Sequence, residues 1–189
     1  MTYRYTIKET SQPAVEPISL SEAKTFLRIS HDGDDVALAT KIKAARQFCE
    51  MYTGQSIIAH DFRVSYVLNS FKTLKFKVPK APLISVASVK FINKENIETT
   101  LTSERYTVDT DLNCVVLKED LALNGFAGVL KITFNAGYGA TADDVPENLR
   151  HAVLMKMAQL YEYRGDSGEQ PNFDIVASLL KPYKKIKLG

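Results

Sequence analysis

The residues best spaced for chemistry are Gly137-Tyr138-Gly139-Ala140-Thr141-Ala142. They match the G-x-G-x-x-A pattern of a dinucleotide-binding turn, and they lie between a strand-like run and a helical one. In that chemistry the glycines let the backbone approach a pyrophosphate, which rests on the N-terminus of the following helix. Two features argue against it here. Asp143 and Asp144 put carboxylates where the phosphates would sit. The helix is expected to start at Asp144 or after, which leaves the third small residue outside it. The expected reading is a turn that re-aims the chain into the helix.

A second cluster, His31, Asp32, Asp34 and Asp35, has the residue types of a metal site. Its spacing is not that of a calcium loop, and no bidentate glutamate follows at the right offset. Asp34 or Asp32 as a helix cap, with acids near the positive end of the helix, accounts for it. His60-Asp61 is a lone pair at a strand start, and His151 lies off the apolar stripe of a helix. Cys49 falls in a helical pattern and Cys114 in a strand pattern, without metal-type spacing, so both read as buried thiols. No serine sits in a G-x-S-x-G elbow. Nothing in the chain calls for catalysis, a cofactor or a metal.

The basic residues Arg63, Lys72, Lys75, Lys77 and Lys80 recur through the first strands. Lys75 and Lys77 share a face opposite Leu74, Phe76 and Val78. That is the pattern of a solvated outer face, with a surface for an anionic ligand or nucleic acid as the alternative. The tail Lys181 to Gly189 carries four lysines and no acid, interleaved with Tyr183, Ile186 and Leu188. It reads either as a disordered end or as a segment that orders on a partner.

The elements that must hold these residues divide into three parts. Ser19-Leu20-Ser21-Glu22 is a capping box opening a short helix at about 19–28. A second helix is expected at 34–53, with Val36, Ala39, Ile42, Ala45, Phe48, Cys49 and Tyr52 in phase and Gly54 as its left-handed stop. From Ser56 to Asn135 the period becomes two, with runs around 62–67, 74–78, 84–92, 106–109, 114–117 and 129–134. No helical crossover separates these runs, which favours an antiparallel sheet or barrel. Pro79-Lys80-Ala81-Pro82 must be a bend or an edge. A long helix follows at 145–164, with Asp144 as cap, Pro146 in the first turn, and Leu149, Ala152, Val153, Met157, Leu160 and Tyr161 as its stripe. Residues 165–172 read as a loop, and Asp174 can cap a last short helix at 174–181.

The fold class expected is α+β: a small helical bundle formed by the N- and C-terminal helices, with an inserted antiparallel β domain. The boundaries are an N-terminal arm at 1–18, the bundle at 19–55 plus 143–181, the β domain at 56–142, and a basic tail at 182–189. The net charge of +2 is too small to imply nucleic acid by itself. No run approaches the ~18 apolar residues of a membrane span, and the first ten residues carry no apolar signal-peptide core.

Taken in order, these pieces resemble a known family. Glu16-Pro17-Ile18-Ser19-Leu20-Ser21-Glu22-Ala23-Lys24, the Asp32-Gly33-Asp34-Asp35 break and the helix ending Tyr52-Thr53-Gly54-Gln55 look like the N-terminal half of the tailed-phage head–tail connector (adaptor) family. Pro79-Lys80-Ala81-Pro82-Leu83-Ile84-Ser85-Val86 resembles the proline-flanked strand of the subfamily with a β insertion. Tyr106-Thr107-Val108-Asp109, Ile132 to Gly139, Val145 to Arg150 and Leu180-Lys181-Pro182-Tyr183 are similar to its later signature. Residues 1–15 match nothing in it.

The resemblance implies a structural virion protein without catalytic residues. It implies a ring, usually twelve-fold, beneath the portal of a DNA-filled head, extending the DNA channel and presenting a docking surface to the stopper or tail-completion protein. The C-terminal segment is implied to reach the portal. On this chain the contact candidates are Phe173, Leu180, Lys181, Tyr183, Lys184, Lys185, Ile186, Lys187 and Leu188. DNA would pass without sequence-specific binding, no membrane is involved, and the location would be the virion, with the host cytoplasm during assembly. The alternative from another class is a small non-enzymatic module whose basic β domain binds an anionic ligand or nucleic acid.

Overall fold

A computed structural model describes residues 4–68, 74–118, 128–163 and 173–185. The chain forms two compact units. One takes in the described residues up to Gln12 together with Ala59–Gly137; the other is Pro13–Ile58 with Tyr138 onward.

The first unit is all β. Its larger sheet contains β1 (Tyr5–Glu9), β2 (His60–Leu68), β4 (Leu83–Ile92), β5 (Glu98–Leu101) and β8 (Gly128–Ala136), in the order β1-β2-β8-β4-β5. A smaller sheet has the order β3-β7-β6, formed by β3 (Lys75–Lys77), β6 (Tyr106–Asp109) and β7 (Cys114–Leu117). Every pairing is antiparallel. The period-two pattern explains why: Phe62, Val64, Tyr66 and Leu68 are buried while Arg63 and Val67 are exposed. Cross-strand register places Phe62 opposite Phe134 and Val64 opposite Ile132, so the apolar rows of β2 and β8 coincide. Phe76 of β3 and Val115 of β7 join them, and both sheets enclose a single core.

Two strands escape the sequence reading. Residues 5–9, expected as part of an arm, pair with β2 in an unbroken register from Tyr5↔Tyr66 to Glu9↔Phe62. All five are exposed, so no burial period marks them as a strand. β5 is likewise exposed except at Leu101. Pro79-Lys80-Ala81-Pro82 is a bend, with a cis bond at Ala81–Pro82, that delivers the chain into β4.

The second unit is helical: α1 (Leu20–Leu27), α2 (Asp35–Thr53), α3 (Glu147–Glu162) and α4 (Phe173–Leu180). The Ser19/Glu22 capping box forms as expected, and Gly54 ends α2 at φ 74°. Leu149, Ala152, Val153 and Met157 of α3 are buried with Leu38, Ile42, Ala45 and Cys49 of α2 and with Val176 and Leu180 of α4.

Several details differ from the expectation. The buried face of α2 is rotated: Leu38 is inside, whereas Val36 is 84% exposed and Ala39 is exposed. Arg46 and Glu50 take interior positions that apolar periodicity does not mark. Asp34 stands at the N-cap of α2 but makes no side-chain cap bond; its carboxylate accepts from the Tyr161 hydroxyl at 2.5 Å instead. Asp144 does not cap α3. It closes a separate 3-10 turn at Ala142–Asp144, and Pro146 holds the N-cap position of α3 without a side-chain bond. Asp174 lies within α4 rather than before it. Arg164 and the loop at 165–172 lie outside the described residues.

Candidate functional site

The glycine turn can be judged from its donors. Gly137 has φ 146°, and a Cβ on Gly139 would lie 2.3 Å from the Asp144 side chain, so the backbone wraps closely around that carboxylate. Asp144 Oδ2 accepts from the Thr141 backbone N–H at 2.9 Å and from Thr141 Oγ1 at 2.8 Å. These bonds, with a further one from the Ala140 backbone, hold the carboxyl below its ordinary range. The position a phosphate would need is therefore filled by the chain's own anion. The motif is a turn, stabilised by the acid that the fingerprint lacks.

The His31–Asp35 cluster is equally self-contained. Lys24 Nζ donates to Asp32 at 2.5 Å and to Asp35 at 2.9 Å, pinning the α1–α2 connection. The Lys24 bonds lower the pKa of Asp32, and the two acids raise that of Lys24. Among the described residues, no three His, Cys, Asp or Glu side chains group as a metal site requires. His60 is buried, stacks on Phe62 and meets Glu9 at 2.9 Å, while His151 is exposed. Cys49 and Cys114 are both buried free thiols. Burial pushes Cys49 up to about 12 and raises Cys114 as well.

The basic residues do not share one sheet. Arg63 lies on β2, in the larger sheet, while Lys75 and Lys77 project from β3 in the smaller one. Lys80 lies over the Phe62 ring, 6.0 Å from its centroid, and Lys72 falls outside the described residues.

Glu16 to Lys24, in the helical unit, is a densely bonded stretch. Glu16 accepts from Arg46 Nε at 2.7 Å. The Pro17 carbonyl accepts from Arg150 Nε at 3.1 Å. Ile18 and Ala23 are buried. Ser19 and Glu22 exchange the capping-box bonds, at 3.1 and 2.7 Å, and Glu22 also receives Arg150 Nη2. Two arginines from helices far apart in sequence thus clamp one segment. Neither stood out in the sequence, although the i,i+4 spacing of Arg46 and Glu50 at core-phase positions was the available signal.

The C-terminal candidates are placed unequally. Leu180 is fully buried in the helical core. Lys181 and Lys184 are exposed, and Lys184 Nζ sits 4.9 Å from the Tyr52 ring centroid. Tyr183 packs edge-on against Tyr138. Gln55 ties the two, donating to the Tyr183 carbonyl at 2.6 Å and accepting from the Tyr138 hydroxyl at 2.7 Å. Burial, then the neighbouring Tyr183, pushes Tyr138 up to about 12. Lys185 N–H donates to the Thr53 carbonyl at 3.0 Å. The chain up to Lys185 is thereby fastened to the C-terminal end of α2. The Phe173 side chain and Ile186, Lys187 and Leu188 lie outside the described residues.

A helical unit clamped by the Arg46 and Arg150 ion pairs, joined in sequence to an inserted antiparallel β unit, defines an α+β fold. The profile of the family described as phage gp6-like head-tail connector protein matches residues 17–119, more than half of the chain. The protein belongs to that family, and its role is that of a structural connector between phage head and tail. Among solved structures, the chain is similar to one in the neck of an empty gene transfer agent particle computed with C6 symmetry, at 24% identity, TM-score 0.75 and 97% coverage of both chains. It is similar to a chain in the virion of a native gene transfer agent particle, at 22% identity, TM-score 0.77 and the same coverage. A third similar chain comes from the neck of the native particle computed with C12 symmetry, at 22% identity, TM-score 0.75 and 97% coverage of each chain. These likenesses establish the fold over nearly the whole chain. No curated protein sequence matches it.

Proposed function

We propose that copies of this chain form a ring, twelve-fold in the virion, that sits beneath the portal and joins the DNA-filled head to the stopper or tail. The observation that carries this reading is family membership across 17–119. The necks in which the similar chains occur, computed with C6 and C12 symmetry, support the ring. On this reading the protein has no catalytic role, DNA passes through the ring without sequence-specific contact, and the protein assembles in the host cytoplasm before entering the virion. The helical parts of the chain act as one assembly domain and the inserted β segment as a second.

In this proposal the portal contact is made by the C-terminal segment. Leu180 and Tyr183 act as its anchors in the chain's own helical unit, since both are packed there. Lys181, Lys184 and Lys185, with Ile186, Lys187, Leu188 and Phe173, then offer basic and apolar groups to the portal.

The test is to mix the protein with its cognate portal and examine the particles by cryo-microscopy. A ring of this protein below the portal is expected. Portals that stay bare at high protein concentration would remove the proposal.

A further inference from the structure

The outward face of α2 reverses the usual composition of a surface helix. Of its eight exposed residues only Lys43 is charged. Val36 and Met51 are 84% and 76% exposed, and Ala39, Thr40 and Ala44 lie between them. The Thr40 hydroxyl is already bonded to the Val36 carbonyl at 3.0 Å, so it offers little more than a methyl group. The other charges of the helix are engaged elsewhere: Asp35 accepts from Lys24 at 2.9 Å, Lys41 donates to the Leu160 carbonyl at 2.6 Å, and Arg46 and Glu50 bond to each other inside. In the same unit α3 follows the ordinary rule, exposing Glu147, Asn148, His151 and Glu162. A face of five turns with one charge has the composition of an interface centre, where charged residues are depleted.

We propose that this face packs against the neighbouring copy of the chain, and against a different surface of that copy. The inference rests on the ring reading above and names one of its two contact surfaces. The charge pattern selects the occupant. A nucleic acid would require rows of lysine or arginine, and α2 presents one lysine. A two-fold α2–α2 contact is also disfavoured. Lys43 adjoins Ala44, the midpoint of Asp35–Thr53, so antiparallel pairing would bring the two Lys43 side chains within about 3 Å along the axis. Like charges there repel, whereas a heterologous contact, which a ring requires, avoids the clash. The helix is roughly 28 Å long, so its face supplies part of the ~800 Å² per partner of a standard interface and forms the centre rather than the whole of it.

Three measurements on the full chain test this, with wild-type rings assembled on portals and free protein side by side. Peroxide oxidation of Met51, followed by mass spectrometry, should slow about tenfold in the ring as the face leaves water. Lysine cross-linking in rings built from a mixture of isotope-labelled and unlabelled protein should join Lys43 to a second copy. Ala44→Glu, which changes an exposed site to another good helix former, should keep the wild-type circular dichroism and melting temperature but require about 100-fold more protein to enter rings, because it buries an unpaired charge. If wild-type rings form while Met51 reacts as in free protein and Ala44→Glu assembles normally, the inference is overturned and the ring stands. Cross-links from Lys43 only to the portal or a tail protein also overturn it. If the wild type makes no ring, the ring reading falls and the inference falls with it.

Discussion

Arg46 and Glu50, one helical turn apart on α2, form a buried ion pair: Arg46 Nη1 donates to Glu50 Oε2 at 2.7 Å. The remaining Glu50 oxygen accepts from the Ile57 backbone N–H at 2.9 Å, and Arg46 reaches on to Glu16. One side-chain pair thus fixes the segment before α1 and the turn after α2. Removing Arg46 leaves the buried Glu50 carboxylate without a counter-charge. Arg46→Ala is expected to destabilise the helical unit by about 3–5 kcal/mol, whereas Arg46→Met with Glu50→Met should cost less, chiefly the Ile57 N–H left without its acceptor. Urea unfolding of the three proteins, followed by circular dichroism, measures the difference.

Acid should loosen the start of the helical unit. Glu22 lies below its ordinary value of 4.5, chiefly because the Ser19 backbone N–H donates to it, with Arg150 adding attraction. A depressed folded-state pKa contributes stability that is present above 4.5 and lost as pH falls through the lower folded value. Asp144 acts in the same sense below its ordinary 3.8. Glu22 is partly exposed, so its share should be under about 1 kcal/mol. Glu22→Gln should be less stable than wild type at pH 7, and the gap should narrow progressively as pH falls below 4.5; a gap that does not change with pH would exclude the ionic origin.

The cysteines should be silent in the folded protein. Cys49, pushed up to about 12 by burial, carries almost no thiolate at pH 8, and Cys114 is raised too. Maleimide labelling at pH 8 is expected to modify neither within an hour in buffer and both in denaturant, counted by intact mass.

Gly139 should tolerate no side chain while Asp144 is present. Gly139→Ala places a Cβ against the Asp144 carboxylate and is expected to cost about 1–3 kcal/mol. Adding Asp144→Ala should recover part of that loss, giving a non-zero coupling in a double-mutant cycle. Additive costs would show that the turn does not depend on this contact.

Two truncations separate docking from folding at the C-terminus. Ending the chain after Lys185 keeps the Gln55, Tyr138 and Thr53 contacts and should leave the melting temperature unchanged while weakening portal binding. Ending it after Leu180 also removes the Tyr183 carbonyl that Gln55 binds, so it should cost a further ~1–2 kcal/mol of stability. Thermal melts and portal pull-down of both chains distinguish the two effects.

What the sequence discloses here follows from how local each signal is. The Ser19/Glu22 box and the Gly54 stop rest on contacts within four residues, and both are read directly. The alternation of β2 and β8 is legible because one face of each is buried. β1 is not legible: both of its faces are exposed, and its partners lie more than fifty residues away. The interior place of Arg46 is not legible, because it is not part of an apolar stripe and one of its two partners, Glu16, is thirty positions distant in sequence. Asp34 reads as a cap, but a tyrosine from α3 claims its carboxylate. The glycine turn is legible for the same reason as the capping box, since Asp144 lies within a few residues of the donors it satisfies.

The order of synthesis gives the insertion a cost in time. α2 ends at Thr53 and α3 begins at Glu147, so 93 residues leave the ribosome between them. At about 5–20 residues per second, that is roughly 5–20 seconds. Throughout that interval the Leu38–Ile42–Cys49 face of α2 waits for the helix that will cover it. The nascent chain therefore carries an uncovered apolar helix while strands β2 to β8 are being made, and that is the period in which chaperone binding or mispairing with another nascent copy has its best opportunity.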